Sequence, residues 1–337
     1  MNILRKISAV GTAIAILLSS SQLDIKANAA ANVCGIETGE NIENQDYNQW
    51  ASVVKSYLTP CGAGLMRVQV LSDDSIWAEF YDTGYNLLSV KQIPTELPVF
   101  GGFYAADNGN YYIISGADNV AENDSAEVFR ITKYDNNWNR ISSASLYGAN
   151  TIDPFGAGSA RFAEYGGYLV IHTAHGMYKS SDGLSHQANV TIQLDTNSMT
   201  ITDSFTDIMN IDFGYVSHSF NQFVEIDNGH IITLDHGDAH PRSLVIGRYT
   251  SPVTSGKFIN GATIFNHSEI YKIPDSTAAH YNYTGVSVGG FETTSTGYLT
   301  AISSVDMGNY NPNNTRDIYV IHTPKSDNAF GSSTVKE

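Results

Sequence analysis

Phe223-Val224-Glu225-Ile226-Asp227-Asn228-Gly229-His230-Ile231-Ile232 reads as a strand, a turn on Asn228-Gly229 and a returning strand. The same order of residues occurs as Phe103-Tyr104-Ala105-Ala106-Asp107-Asn108-Gly109-Asn110-Tyr111-Tyr112-Ile113-Ile114. It occurs again as Phe162-Ala163-Glu164-Tyr165-Gly166-Gly167-Tyr168-Leu169-Val170-Ile171, and as Phe291-Glu292-Thr293-Thr294-Ser295-Thr296-Gly297-Tyr298-Leu299-Thr300. The leading phenylalanines are 59, 61 and 68 positions apart, which accommodates a four-stranded sheet with its loops rather than a single hairpin. Repetition at that period predicts an all-β fold, a β-propeller of four-stranded repeats. The rival architecture, a pair of β-sandwiches, needs no such period.

Working outward from the repeat, residues 63–337 form the expected propeller domain. Met66–Val70, Ile76–Tyr81 and Leu87–Ile93 make an earlier, diverged copy, separated by Ser72-Asp73-Asp74 and Asp82-Thr83-Gly84 turns. Later units run over 101–146 and 159–205, then from Ser219 and from Val286. The last unit shows three strands and no fourth, so closure by the N-terminal segment, or a longer chain, is expected. Residues 30–62 read as an appendage. Trp50, Val53, Val54, Tyr57 and Leu58 repeat at helical spacing, and Pro60 would stop that helix. Cys34 and Cys61 are the two cysteines. In an oxidising compartment they are expected to pair, which would contribute about 3–4 kcal/mol.

Residues 1–29 have the form of a signal peptide: Arg5 and Lys6, a short apolar run from Ile7 to Leu18, and Ala27-Asn28-Ala29 before the cut. The apolar run is shorter than the roughly 20 residues of a membrane span. The expected location is therefore outside the cell or on its surface, with no transmembrane segment in the mature chain. The whole chain carries a formal charge of -16, and cleavage removes more basic than acidic groups. That charge repels nucleic acid and anionic membranes. It suits cations and neutral ligands, and it is equally explained by solubility. Twenty tyrosines among many Asn, Ser, Thr and Gly give a rigid polar surface of the kind that binds sugars.

Ten histidines are present, none before His172, and seven fall between His172 and His240. His172 and His175 follow one second strand and His236 follows the next, so the topology could bring them together at one end of a channel. Asp235-His236-Gly237-Asp238-Ala239-His240-Pro241-Arg242 reads as a loop, because Gly237 and Pro241 oppose a helix. Its His236, Asp238 and His240 are candidate ligands for a divalent metal, with satisfied loop hydrogen bonds as the plain alternative. The segment from His172 to Gln187 reads as a second long loop, with Tyr178 and His186 joining His172 as candidate ligand-binding residues. Arg161 and Arg242 are conspicuous where cations are scarce. Two such forks beside imidazoles suit a carboxylate, sulfate or phosphate, and structural bridges to the many acids explain them as well.

The stretch from His218 through Phe220, Asn228-Gly229 and Ile232 to Asp235-His236-Gly237 resembles secreted arylsulfotransferases. In those propellers a His precedes a strand–Asn-Gly–strand hairpin. The resemblance, about 20 residues long, implies a central His218 that accepts a sulfuryl group while Arg242 or another His holds the sulfate. More broadly the chain resembles exported β-propeller proteins of Gram-positive bacteria. Three functions follow as expectations. The first is a binding module for a glycan, a small anion or another extracellular ligand, using Arg161, His172, Tyr178, His186, Asp238 and His240. The second is a lyase or group transferase using His218, His236, His175 and Arg242. The third is a structural surface protein.

Overall fold

The computed structural model describes residues 54–156, 158–211, 214–216, 219–238, 242–257, 265–273, 286–304, 315–326 and 329–336. All of them belong to one compact unit. The architecture is a five-bladed β-propeller of four-stranded antiparallel blades. Blade 1 is β1 (Ser56–Cys61), β2 (Gly64–Val70), β3 (Ile76–Tyr81) and β4 (Leu87–Ile93). Blade 2 is β5 (Val99–Ala105), β6 (Tyr111–Gly116), β7 (Glu127–Tyr134) and β8 (Arg140–Tyr147). A short β9 (Thr151–Pro154) then pairs onto blade 3, which is β10 (Arg161–Tyr165), β11 (Tyr168–Lys179), β12 (Ser185–Asp195) and β13 (Thr200–Phe205). The hairpin β14 (Met209–Ile211) and β15 (Gly214–Val216) leads into blade 4. That blade is β16 (Ser219–Asp227), β17 (His230–Asp238), β18 (Arg242–Pro252) and β19 (Phe265–Lys272). Blade 5 is β20 (Ser287–Thr293), β21 (Gly297–Ser304) and β22 (Asp317–Ser326), with short pieces β23 (Ala329–Phe330) and β24 (Thr334–Lys336) on β22.

Each blade follows sequence order, and β10 touches β16 as β16 touches β20, so the first strand of a blade lies innermost. The repeat works through its turn and its phenylalanine. Tyr165 faces Tyr168 and Asp227 faces His230, leaving two-residue turns on Gly166-Gly167 and Asn228-Gly229. All four turn residues have positive φ, which Gly and Asn tolerate and which matches the twist of the flanking strands. The phenylalanines anchor one blade to another or to a later part of their own blade. Phe103 stacks on Trp138, Phe162 on Tyr104, and Phe291 on Tyr298, with centroids 5.7, 5.5 and 6.1 Å apart.

Side chains alternate across each strand, so every blade has two faces to bury. Met66 and Val68 pack with Phe103 and Trp138 between blades 1 and 2. Ile114 and Phe129 pack with Leu169 and Ile171 between blades 2 and 3. Val170 meets Val224 and Tyr249 between blades 3 and 4, and Leu234 meets Phe291 and Ile321 between blades 4 and 5.

Four expectations are corrected. Tyr57 and Leu58 lie in strand β1, not in a helix, and residues 56–61 therefore belong to the first sheet. Pairing with β2 satisfies backbone groups that a helix would leave open on that strand, and Pro60 fits because β1 is a sheet edge. Trp50 and Val53 lie outside the described residues. Cys61 is a free thiol, 3.9 Å from the Tyr111 hydroxyl, and Cys34 lies outside the described residues. The last blade has its own fourth strand, with Ile321 opposite Val335. The two supposed loops are largely strand. β11 continues to Lys179 with His172 and His175 inside it, and β17 continues to Asp238 with His236 opposite Leu244. Gly237 does not stop a strand whose neighbour keeps pairing alongside it.

Candidate functional site

In a blade that follows sequence order, the second-to-third connection and the link to the next blade leave at the same end. β17 ends at Asp238 and β18 begins at Arg242 at that end. The turn between β11 and β12, and the link carrying β9, also open there. This face thus gathers the residues that the sequence singles out. Tyr178 and His186 flank its 180–184 turn, Arg161 starts β10, and Arg242 starts β18. His218 and His240 lie outside the described residues, as does the side chain of Asp238.

His172, His175 and His236, the buried histidines of the candidate site, do not form one cluster. His172 and His175 are three residues apart on β11, and an odd separation sends them to opposite faces. His172 points to blade 4, where its Nε2 lies 2.9 Å from Asp235 Oδ1. His175 points to the other side, where its Nδ1 lies 2.6 Å from Thr151 Oγ1. His236 shares a face of β17 with Leu234, which packs toward blade 5, opposite to that of Asp235. The exposures are 0% for His172 and His175 and 2% for His236, so none of the three imidazole rings reaches solvent.

Around His172 the sequence reading missed a network. Asn189 Nδ2 donates to Asp235 Oδ1 at 2.9 Å, His172 Nδ1 lies 2.8 Å from Thr191 Oγ1, and Thr191 Oγ1 lies 2.9 Å from the Tyr249 hydroxyl. An ionised carboxylate only accepts, which places a hydrogen on His172 Nε2. Burial, opposed by the Thr191 hydrogen bond, raises the Tyr249 phenol above its ordinary range, so it remains a donor. The network links Tyr249 through Thr191 and His172 to Asp235. The signal was available in sequence as polar residues interrupting apolar strand runs, His172 after Ile171 and Asp235 after Leu234. What those residues met across blades was not.

His175 is different. Its Nε2 makes no hydrogen bond of ordinary geometry. Burial pushes the imidazole down to about 3, partly offset by the Thr206 main chain. It is a neutral core residue under working conditions. Nearer the surface, Arg161 Nε donates to the Gln222 carbonyl at 3.1 Å, and its guanidinium lies 4.5 Å from the centre of the Phe223 ring. Tyr178 accepts from Asn119 Nδ2 at 2.9 Å, and burial is the first cause that raises its phenol. His186 Nε2 lies 2.7 Å from Asp182, whose carboxyl is held at about 2 by Ser180, the Leu184 amide and His186. Asp153, also at this end, is raised by burial and then by Asp118. Among the described residues no group of three or more His, Cys, Asp or Glu is placed to hold a metal.

No known protein family matches the chain, and no curated protein does. Among solved structures it is similar to a point mutant of the Synechocystis apocarotenoid oxygenase, with a TM-score of 0.43 and 9% identity over 86% of this chain and 65% of that one. A chimera of that oxygenase with RPE65 gives 0.41 and 9% over 81% and 59%, and the cobalt-substituted oxygenase gives 0.40 and 8% over 81% and 59%. The chain spans between 59% and 65% of the length of these structures.

Proposed function

We propose that this chain is a secreted or cell-surface binding module whose ligand, a neutral glycan, is held on the propeller face that carries Tyr178, His186, Arg161 and Arg242. The observation that supports this reading is the burial of His172, His175 and His236 in three separate interblade layers. A group that transfers a proton or accepts a sulfuryl group must touch its substrate. Those rings instead stiffen the wall beneath the face, while the part-exposed residues above them offer hydroxyls, amides and an aromatic ring.

The rim near Tyr178 favours an uncharged ligand over a small anion. Glu122, Asp124, Asp118 and Asp153 lie in the β6–β7 connection and on β9, and Asp207 Oδ1 accepts from Asn150 at 3.1 Å. An anion would approach these carboxylates against repulsion, whereas sugar hydroxyls can donate to them. The test is a glycan panel probed with the full mature chain at physiological salt. Binding to neutral glycans, weakened at least about tenfold by Tyr178→Ala, is expected. Uniformly absent binding overturns the reading.

A further inference from the structure

The turns that join the first and second strands of the blades lie at the end of the axis opposite to the face that carries Tyr178. Four innermost strands bring a carboxylate there. Asp107, Glu164, Glu225 and Glu292 each lie within two residues of the end of β5, β10, β16 or β20. Lys325 reaches this end to meet Asp227 Oδ1 at 2.8 Å. Contacts tie three of the acids to one wall. Glu164 Oε1 accepts from the Asp107 amide at 2.7 Å, which joins blades 2 and 3. Tyr104 stacks on Phe162 with ring centroids 5.5 Å apart, and β10 touches β16, which carries Glu225. Burial, then Glu164, Asp107 and Glu225, hold the Tyr104 phenol above its ordinary range. A separate observation points to a ligand. Tyr112 lies opposite Tyr104 on the same face of blade 2, is 0% exposed, and its hydroxyl makes no hydrogen bond of ordinary geometry. Burial and then Glu164 push that phenol up to about 12, so a buried acceptor oxygen is left on the side of the carboxylate.

We infer that this end of the axis binds an organic ammonium ion, held by Glu164, Glu225 and Asp107 against the Tyr104–Phe162 pair. Carboxylates brought together repel one another, and an ammonium relieves that repulsion while its N–H groups donate to them and to the phenol oxygens. Aromatic faces add attraction for an organic cation. Among the described residues no three of His, Cys, Asp and Glu are placed to hold a metal ion, so the acids are spaced for a larger cation. A free polyamine and a lysine side chain of a polypeptide share this chemistry. The inference is independent of the proposed glycan, whose face lies at the other end of the axis.

The test is calorimetric titration of the full mature chain at physiological salt with spermidine and, separately, with tetralysine. Binding of at least one probe is expected, weakened at least about tenfold by Glu164→Gln and by Glu225→Gln and unchanged by Asp182→Asn at the opposite end. Glutamine keeps an acceptor for the Asp107 amide, so Glu164→Gln retains the fold, which its Tm checks. Tighter binding of spermidine supports the site with a free polyamine as its ligand, and tighter binding of tetralysine supports it with a polypeptide as the source. Absence of binding by both probes overturns the inference, as does an equal loss in Asp182→Asn, which marks general attraction to an acidic chain. Calcium that displaces the probe through the same residues also overturns it, because the site then takes a metal.

Discussion

Replacing Asp235 by alanine removes the acceptor for two buried donors at once. Asp235 is 2% exposed, and its Oδ1 takes hydrogen bonds from His172 Nε2 and Asn189 Nδ2, both at 2.9 Å. A buried donor left without a partner costs about 1–3 kcal/mol, so the pair costs roughly 2–6 kcal/mol, centred near 4. For a domain of this size each kcal/mol moves Tm by about 2–4 °C, which gives an expected fall of roughly 8–16 °C. The assay is thermal unfolding followed by circular dichroism at fixed pH. Asp235→Asn retains one acceptor oxygen and falls by less. His172→Leu combined with Asp235→Leu recovers part of the loss, because replacing both partners removes the demand instead of stranding one side. An alanine variant that melts within about 2 °C of the parent refutes the argument that this network holds blades 3 and 4 together.

Four further outcomes follow from the same geometry. His175 lies at about 3 in the folded chain, below its ordinary value of 6.5, so the unfolded state binds more protons between those values. Stability from this residue is complete above pH 6.5 and declines by about 1.4 kcal/mol per pH unit as pH falls toward 3; denaturant titrations of His175→Gln should lose that slope. Trp138 is 4% exposed, stacks on Phe103 and donates to Met66 Sδ at 3.4 Å. Trp138→Ala is expected to cost about 3–5 kcal/mol in urea unfolding. Lys325 Nζ lies 2.8 Å from Asp227 Oδ1, and the Tyr298 hydroxyl donates to Asp227 Oδ2 at 2.8 Å, clasping blades 4 and 5. Tyr298→Phe should cost about 1 kcal/mol by the same method, and a cost near zero would remove the clasp from the account. Cys61, free in the structure, should be alkylated in the denatured, unreduced chain, as read by peptide mass spectrometry.

The repeat was legible because its parts are local. A Phe, an Asn-Gly or Gly-Gly turn and a β-rich return strand state their structure within about ten residues, and their spacing states the blade. The described end of the expected helix, Tyr57 and Leu58, was misread for the opposite reason. Apolar positions at helical spacing also allow a strand when a partner is present, and the hydrogen bonds of β2 decided between them there. The strand extensions through His172 and His236 were read as loops because Gly237 and a dense run of polar residues signal turns. Pairing across a long hairpin overrides that signal.

The sequence by itself determined the all-β class and the blade repeat, since both follow from periodicity and strand order. Only the tertiary structure decided which histidines meet and which part. Pleating sends residues an odd number of positions apart to opposite faces, so His172 and His175, neighbours in sequence, face different blades. Asp235, sixty-three positions from His172, becomes its partner because two blades pack face to face. Contacts of that kind have no local signature: they are properties of the packing between blades, and no stretch of chain contains both halves.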